Sequence, residues 1–118
     1  MRNRDLNPES DMTQKSKPAS TPLYPVNLDI SNKRCLVVGG GPVAARKVKA
    51  LLLCGGLVQI ISPHASDTIF RLAEAGKIEW LKRTYRAGDA KDAFLIFGAT
   101  DDPEVQKQIA EDADRYHV

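Results

Sequence analysis

Cysteine is scarce in this chain: of its 118 residues only Cys35 and Cys54 carry a thiol. Each stands inside an apolar stretch, which points to buried free thiols and away from a disulfide framework or a zinc centre. Neither is assigned any chemistry, and no metal-ligating set is expected. Long apolar runs are missing too. Nowhere do about 18 apolar residues follow one another, so no transmembrane helix is expected. Met1-Arg2-Asn3-Arg4 leads into polar sequence where a signal peptide would turn apolar. The expectation is a cytoplasmic chain with no membrane partner. Nor is charge of one sign concentrated. The 17 basic and 15 acidic side chains, net +2, are spread along the sequence. A nucleic-acid-binding arm would show a basic block, so no DNA or RNA partner is expected.

What remains is an ordinary globular composition, 42% hydrophobic and 27% charged. The length suffices for one domain with one core and is too short for a cofactor domain joined to a full substrate domain. Residues 1–22 are rich in Asn, Ser, Thr, Lys and Pro with almost no large apolar side chains. Such a segment cannot offset the entropy of ordering itself and is expected to be a disordered tail. The domain is expected over residues 23–118. It opens with a short extended segment, Leu23 to Leu28, in which Tyr24, Val26 and Leu28 share one face at strand period.

Cys35-Leu36-Val37-Val38 is a continuous apolar run of the kind found in a strand covered on both faces. Gly39-Gly40-Gly41-Pro42 breaks it. Val43 to Cys54 then carries Ala44, Val48, Leu51 and Leu52 on one helical stripe, and Gly55-Gly56 ends the helix. Leu57 to Ile61 is a second strand closed by Ser62-Pro63. A second helix is expected from about Ala65 to Ala75, and a third strand at Ile78 to Leu81. Residues 83–92 read as polar connection. Ala93 to Gly98 suits a central strand, and Asp102-Pro103-Glu104 combines an N-cap, a first-turn proline and an acid to start a third helix, expected to run to about Arg115. Tyr116-His117-Val118 reads as the beginning of another strand.

Strands alternating with helices imply parallel pairing with right-handed crossovers. The expected fold is therefore α/β: a Rossmann-like parallel sheet of about four strands with flanking helices, of the NAD(P)-binding type. In such a sheet the ligand crevice lies beyond the carboxyl ends of the strands, where strand order reverses. This singles out residues 39–43, 62–64 and 99–102.

Gly39-Gly40-Gly41-Pro42-Val43-Ala44 fits the Gly-x-Gly-x-x-Ala form of the dinucleotide fingerprint in its required place between a strand and a helix. Gly39 permits the tight turn, Gly41 lets a pyrophosphate approach the backbone, and Ala44 allows the helix to pack closely on its strand. The helix N-terminus adds unpaired N–H groups and a partial positive charge. The acid that usually ends the second strand and binds the adenosine ribose is absent: Ser62, Pro63 and His64 hold that place. With neither a carboxylate nor an arginine there, residue chemistry alone does not choose between NAD and NADP. Ser62 is placed to hydrogen-bond the ribose and His64 to flank the adenine, although a lone surface histidine is more often inert. After the fourth strand, Thr100 can hydrogen-bond a ligand. Asp101 is read either as a group for proton transfer or as a solvated side chain, and Asp102 as a helix cap.

Taken together these residues resemble the siroheme synthase family, which unites precorrin-2 dehydrogenase and sirohydrochlorin ferrochelatase activities. The pattern Gly-Gly-Gly-x-Val-Ala-x-Arg-Lys followed by Leu-Leu, at Gly39 to Leu52, is similar to that family's opening. Tyr24-Pro25-Val26, Ser62-Pro63, Gly76-Lys77-Ile78-Glu79-Trp80 and Ala99-Thr100-Asp101-Asp102-Pro103 agree further, so the resemblance spans residues 23–118. It implies NAD-dependent oxidation of precorrin-2 to sirohydrochlorin, combined in many members with insertion of ferrous iron. It also implies cofactor contacts at Gly39, Gly41, Pro42, Val43, Pro63, His64, Thr100 and Asp101. The family's acid/base aspartate lies in an Asn-Val-x-Asp-like segment that this sequence does not contain, and its dimerisation and tetrapyrrole-binding region comes later still. No catalytic residue is therefore assigned. The chain is expected to be the cofactor half of such an enzyme, C-terminally incomplete relative to the family, with precorrin-2 as substrate and a homodimer as the assembly of the complete protein.

Two other classes fit the same glycine loop. One is a non-catalytic nucleotide-sensing Rossmann domain, and the other a degenerate domain that binds no nucleotide and only packs against a partner. The Arg46-Lys47 pair and the Ala-Thr-Asp-Asp segment favour the dehydrogenase reading.

Overall fold

Three consecutive side chains, Cys35, Leu36 and Val37, are wholly withdrawn from solvent. They belong to β1 (Arg34–Val38). Alternate side chains leave a strand on opposite sides, so only a strand sandwiched between two layers can hide them all. The computed structural model describes residues 21–118. Within them β1 is followed by α1 (Pro42–Leu53), β2 (Leu57–Ile61), α2 (Asp67–Glu74), β3 (Glu79–Leu81), β4 (Leu95–Gly98) and α3 (Pro103–Tyr116).

The four strands form one parallel sheet in the order β3-β2-β1-β4. Cys35 is the register partner of Val58 on one side and of Leu95 on the other. The chain thus builds outward from β1 through β2 to β3, then returns to lay β4 against the free side of β1. Strand order reverses between β1 and β4, which puts the ligand crevice of this fold above their carboxyl ends.

Two cores flank the sheet. On one face Cys35, Val37, Val58 and Ile60 meet Ala44, Ala45, Val48 and Leu51 of α1 and Ile69 of α2. On the other, Leu36, Val38 and Ile61 meet Tyr85, Ala93 and Ile109 of α3. Each fully buried Leu, Ile or Val contributes roughly 1.5–3 kcal/mol relative to exposure. The two buried alanines of α1, Ala44 and Ala45, bring that helix close to β1, so the backbone at its N-terminus is placed over the strand end.

The four strands and three helices expected between residues 34 and 116 are present, with shifts at their ends. α2 starts at Asp67 because Ser66 adopts extended backbone and its side chain accepts the Ile69 N–H. β4 begins at Leu95, since Ala93 still belongs to a turn in which its N–H donates to Ala90 O. The strand expected at Tyr116 to Val118 is not formed. Helix α3 continues to Tyr116, His117 turns into the left-handed region (φ 59°), and the Val118 N–H closes the helix on Ala113 O at 2.9 Å. Among the described residues the segment before β1 finds no strand partner: Leu23, Tyr24, Val26 and Leu28 are all exposed, and the first buried side chain is that of Ile30. Cys54 is also a correction, because it caps the end of α1 and lies exposed while Cys35 is buried. Of the tail expected at residues 1–22, residues 1–20 lie outside the described ones.

Candidate functional site

The loop from β1 to α1 carries the fingerprint glycines, and the structure gives each a different task. Gly39 is buried at φ 131°, outside the range of ordinary side chains. Its N–H donates to Ile61 O at 3.0 Å, and a Cβ there would run into the carbonyl of Ala99. Gly39 therefore sits wedged between the ends of β2 and β4. Gly40 is clamped against the β2–α2 turn: its carbonyl accepts the Ser66 N–H at 2.8 Å, and a Cβ would overlap His64 O and stand 2.8 Å from Ser62 Oγ. Gly41 differs from both. It is exposed, and no heavy atom beyond its chain neighbours lies within 4 Å of where its Cβ would be. The protein leaves that space open.

Gly41 is also the N-cap of α1, and no side chain caps this helix. Ser66 caps α2, and Asp102 caps α3 by accepting the N–H groups of Glu104 and Val105. Pro42 at the first helical position has no N–H to satisfy, while Val43 follows it half-exposed. The first turn of α1 thus presents backbone donors and the positive end of the helix dipole to the open space at Gly41. These residues fit a pyrophosphate, and a side chain at Gly41 would fill the cradle.

Beside this loop a cleft of about 130 Å³ opens at the carboxyl ends of β1, β2 and β4. Gly39, Pro63 and Thr100 line it, together with Ser62, Tyr85 and Asp102. Gly41, Pro42, Val43, His64 and Asp101 lie outside its lining, on exposed positions. The sequence-predicted residues therefore divide into a cleft group and an exposed group. Asp102 serves as the helix cap, and Asp101 is exposed. A larger groove of about 440 Å³, lined by Arg34, Gln59 and Glu79 among others, lies at the opposite, amino end of β1 to β3. The topological rule favours the smaller cleft.

The walls of the cleft are held from behind. The Trp80 indole N–H donates to Ser62 O at 2.9 Å, and Ser62 N–H to Leu81 O at 3.2 Å, tying the β2 turn to β3. Across the cleft, Gln106 Nε2 donates to Gly98 O at 2.8 Å and Thr100 O at 2.7 Å, fixing the loop after β4. The sequence reading singles out neither Tyr85 nor Gln106, and gives Gly40 no task of its own within the glycine loop. Tyr85 carried one available signal, as the only aromatic residue in an otherwise polar connection.

Among the described residues no group of three or more His, Cys, Asp or Glu is placed to hold a metal ion, and no helix is long and apolar enough to cross a membrane.

A family model for NAD(P)-binding domains matches residues 26–118. The precorrin-2 dehydrogenase of Bacillus subtilis is 32% identical over 96 residues, which are 81% of this chain and 59% of that protein. Siroheme synthase 1 of Serratia proteamaculans is 36% identical over 94 residues, covering 80% of this chain and 20% of that one. Among solved structures, SirC, a precorrin-2 dehydrogenase, superposes with a TM-score of 0.71 at 31% identity over 75% of this chain and 44% of its own. The chain spans about a fifth of that siroheme synthase and just under three fifths of the Bacillus dehydrogenase. With the fold, the glycine loop and these matches in agreement, the chain belongs to the NAD(P)-binding family represented in siroheme synthases and precorrin-2 dehydrogenases.

Proposed function

We propose that this chain is the cofactor-binding half of an NAD-dependent precorrin-2 dehydrogenase, acting in siroheme formation and, in its complete form, as a homodimer. The observation that carries the reading is the uncapped first turn of α1, open at Gly41 while Gly39 and Gly40 are packed tight.

On this reading the backbone of Gly39, Gly41, Pro42 and Val43 receives the pyrophosphate, Pro63 and His64 flank the adenosine, and Thr100 with Asp101 approaches the nicotinamide ribose. The choice of NAD over NADP rests on the family resemblance. When bound, the nicotinamide supplies the hydride acceptor for an oxidation in which precorrin-2 loses a hydride and a proton. The protein's share is to hold the cofactor in one orientation with part of it shielded from water. No residue of this chain is assigned as the acid or base, and the tetrapyrrole is expected to meet groups supplied beyond the cofactor half.

Calorimetric titration with NAD and NADP, repeated on Gly41→Asp, tests the reading. Selective NAD binding that is lost in the variant supports it, because the added carboxylate fills and repels the phosphate position. A folded parent chain that binds neither nucleotide overturns it.

A further inference from the structure

Tyr85 belongs to an irregular connection between β3 and β4 and yet is only 9% exposed. Its ring packs in the core on the α3 face and lines the crevice at the strand ends. Its hydroxyl donates to Asp112 Oδ2 at 2.6 Å. Asp112, on α3, is 1% exposed. The same oxygen accepts the Gly88 N–H at 2.9 Å, and Oδ1 accepts the Gln108 amide at 3.3 Å. A single buried carboxylate therefore pins the connection to the helix through two of its residues.

An all-apolar contact would hold this connection at lower cost. Burying a carboxylate is expensive unless donors surround it, and a leucine or phenylalanine pair could fill the same volume without that penalty. What the carboxylate adds is direction, since a hydrogen bond at the hydroxyl fixes where the ring lies. Burial, reinforced by Asp112, pushes the Tyr85 hydroxyl above its ordinary pKa, so it stays a donor. Tyr85 lines the crevice together with Thr100 and Val105, which follow β4, and Ser62 and Pro63, which follow β2; its hydroxyl is tied to α3, the helix packed on β4. A dinucleotide crossing the switch point runs from the β2 side, which takes the adenosine, toward β4, where the second mononucleotide lies.

We propose that Tyr85 forms the wall against the nicotinamide half of the dinucleotide, and that Asp112 is the positioning residue that sets its ring. This rests on the reading of the cleft as the cofactor site.

The test uses the whole chain and two probes, NAD and ADP-ribose, which lacks the nicotinamide ring. Tyr85→Leu is expected to weaken NAD about tenfold while ADP-ribose changes less than about twofold. Asp112→Ala should reproduce this selective loss, and Asp112→Asn, which keeps an accepting oxygen, should restore most of the affinity. A purely structural role would weaken both probes alike. In the unmodified chain, intermolecular nuclear Overhauser effects should connect the Tyr85 ring to nicotinamide protons, which keeps the proposal testable if a variant does not fold. Equal losses for NAD and ADP-ribose, or Overhauser contacts from Tyr85 to adenine alone, overturn this inference and leave the cofactor reading standing. A parent chain that binds ADP-ribose and NAD equally also overturns it, and one that binds neither overturns both.

Discussion

Gly40 rests on the carbonyl of His64 so closely that a single methyl group would overlap that oxygen. The contact joins the glycine loop to the turn proposed to hold the ribose, and the Ser66 N–H bond to Gly40 O seals it. Gly40→Ala must push two backbone segments apart, because the atom it meets first is the backbone carbonyl of His64. The expected cost is about 1–3 kcal/mol of stability, as for other overpacked sites, with NAD affinity falling as the loop shifts. Denaturant unfolding and calorimetry on the same preparation check both. A variant with the parent's unfolding midpoint and affinity would show that the two loops are not coupled.

Gln106 is expected to act on the cofactor end through the backbone alone. Its amide holds Gly98 O and Thr100 O, and among the described residues no other side chain binds either carbonyl. Gln106→Leu keeps the bulk and removes the donor, leaving two carbonyls to find water. A loss of about 1–2 kcal/mol is expected, with weaker NAD binding but unchanged NAD-over-NADP preference, since the β2 turn is untouched. Thermal unfolding and paired titrations measure the two effects.

The connection that carries Tyr85 should loosen in acid. Asp89 accepts both Arg83 Nη1 at 2.8 Å and Nη2 at 3.0 Å, and the Arg86 N–H at 2.7 Å. Burial alone would raise the Asp89 carboxyl, but the bonds from Arg83 and Arg86 outweigh it and hold it below the ordinary carboxylate value. A carboxyl depressed in the folded state stabilises fully above its unfolded value, near about 4, and that contribution is lost as pH falls through the lower folded value. Asp89→Asn should therefore cost about 1 kcal/mol at neutral pH. The gap to the parent should close progressively below about pH 4. A gap that stays constant with pH would remove the ion pair as its cause.

Much of this was legible because the signals were local. The run Cys35 to Val38 announced a strand buried on both faces, Asp102-Pro103 announced a capped helix, and the glycine loop between them announced the crevice. Local sequence is silent where a long-range contact decides the outcome. Tyr85 and Asp112 are 27 residues apart and each sits in a polar stretch, so nothing local marks them as a buried pair. Gly40 occupies the unspecified position of the fingerprint, and its constraint comes from His64, which only the folded chain brings against it. His117 was misread for a simpler reason: three residues are too few to distinguish a strand from the left-handed end of a helix.

The two cysteines offer a check on the fold that needs no ligand. Both stand in apolar sequence, but β1 carries Cys35 into the sheet, where burial pushes its thiol above the ordinary value. Cys54 is carried past the end of α1 and exposed. The thiolate is the reactive form, so a maleimide or disulfide reagent at neutral pH should modify Cys54 promptly and leave Cys35 untouched. Labelling of Cys35 then requires opening of the sheet, and its rate should rise with denaturant in step with global unfolding. Mass spectrometry of the labelled chain distinguishes the two sites. Equal reactivity in native buffer would mean that β1 is not the covered central strand, and the placement of the glycine loop above it would fall with that.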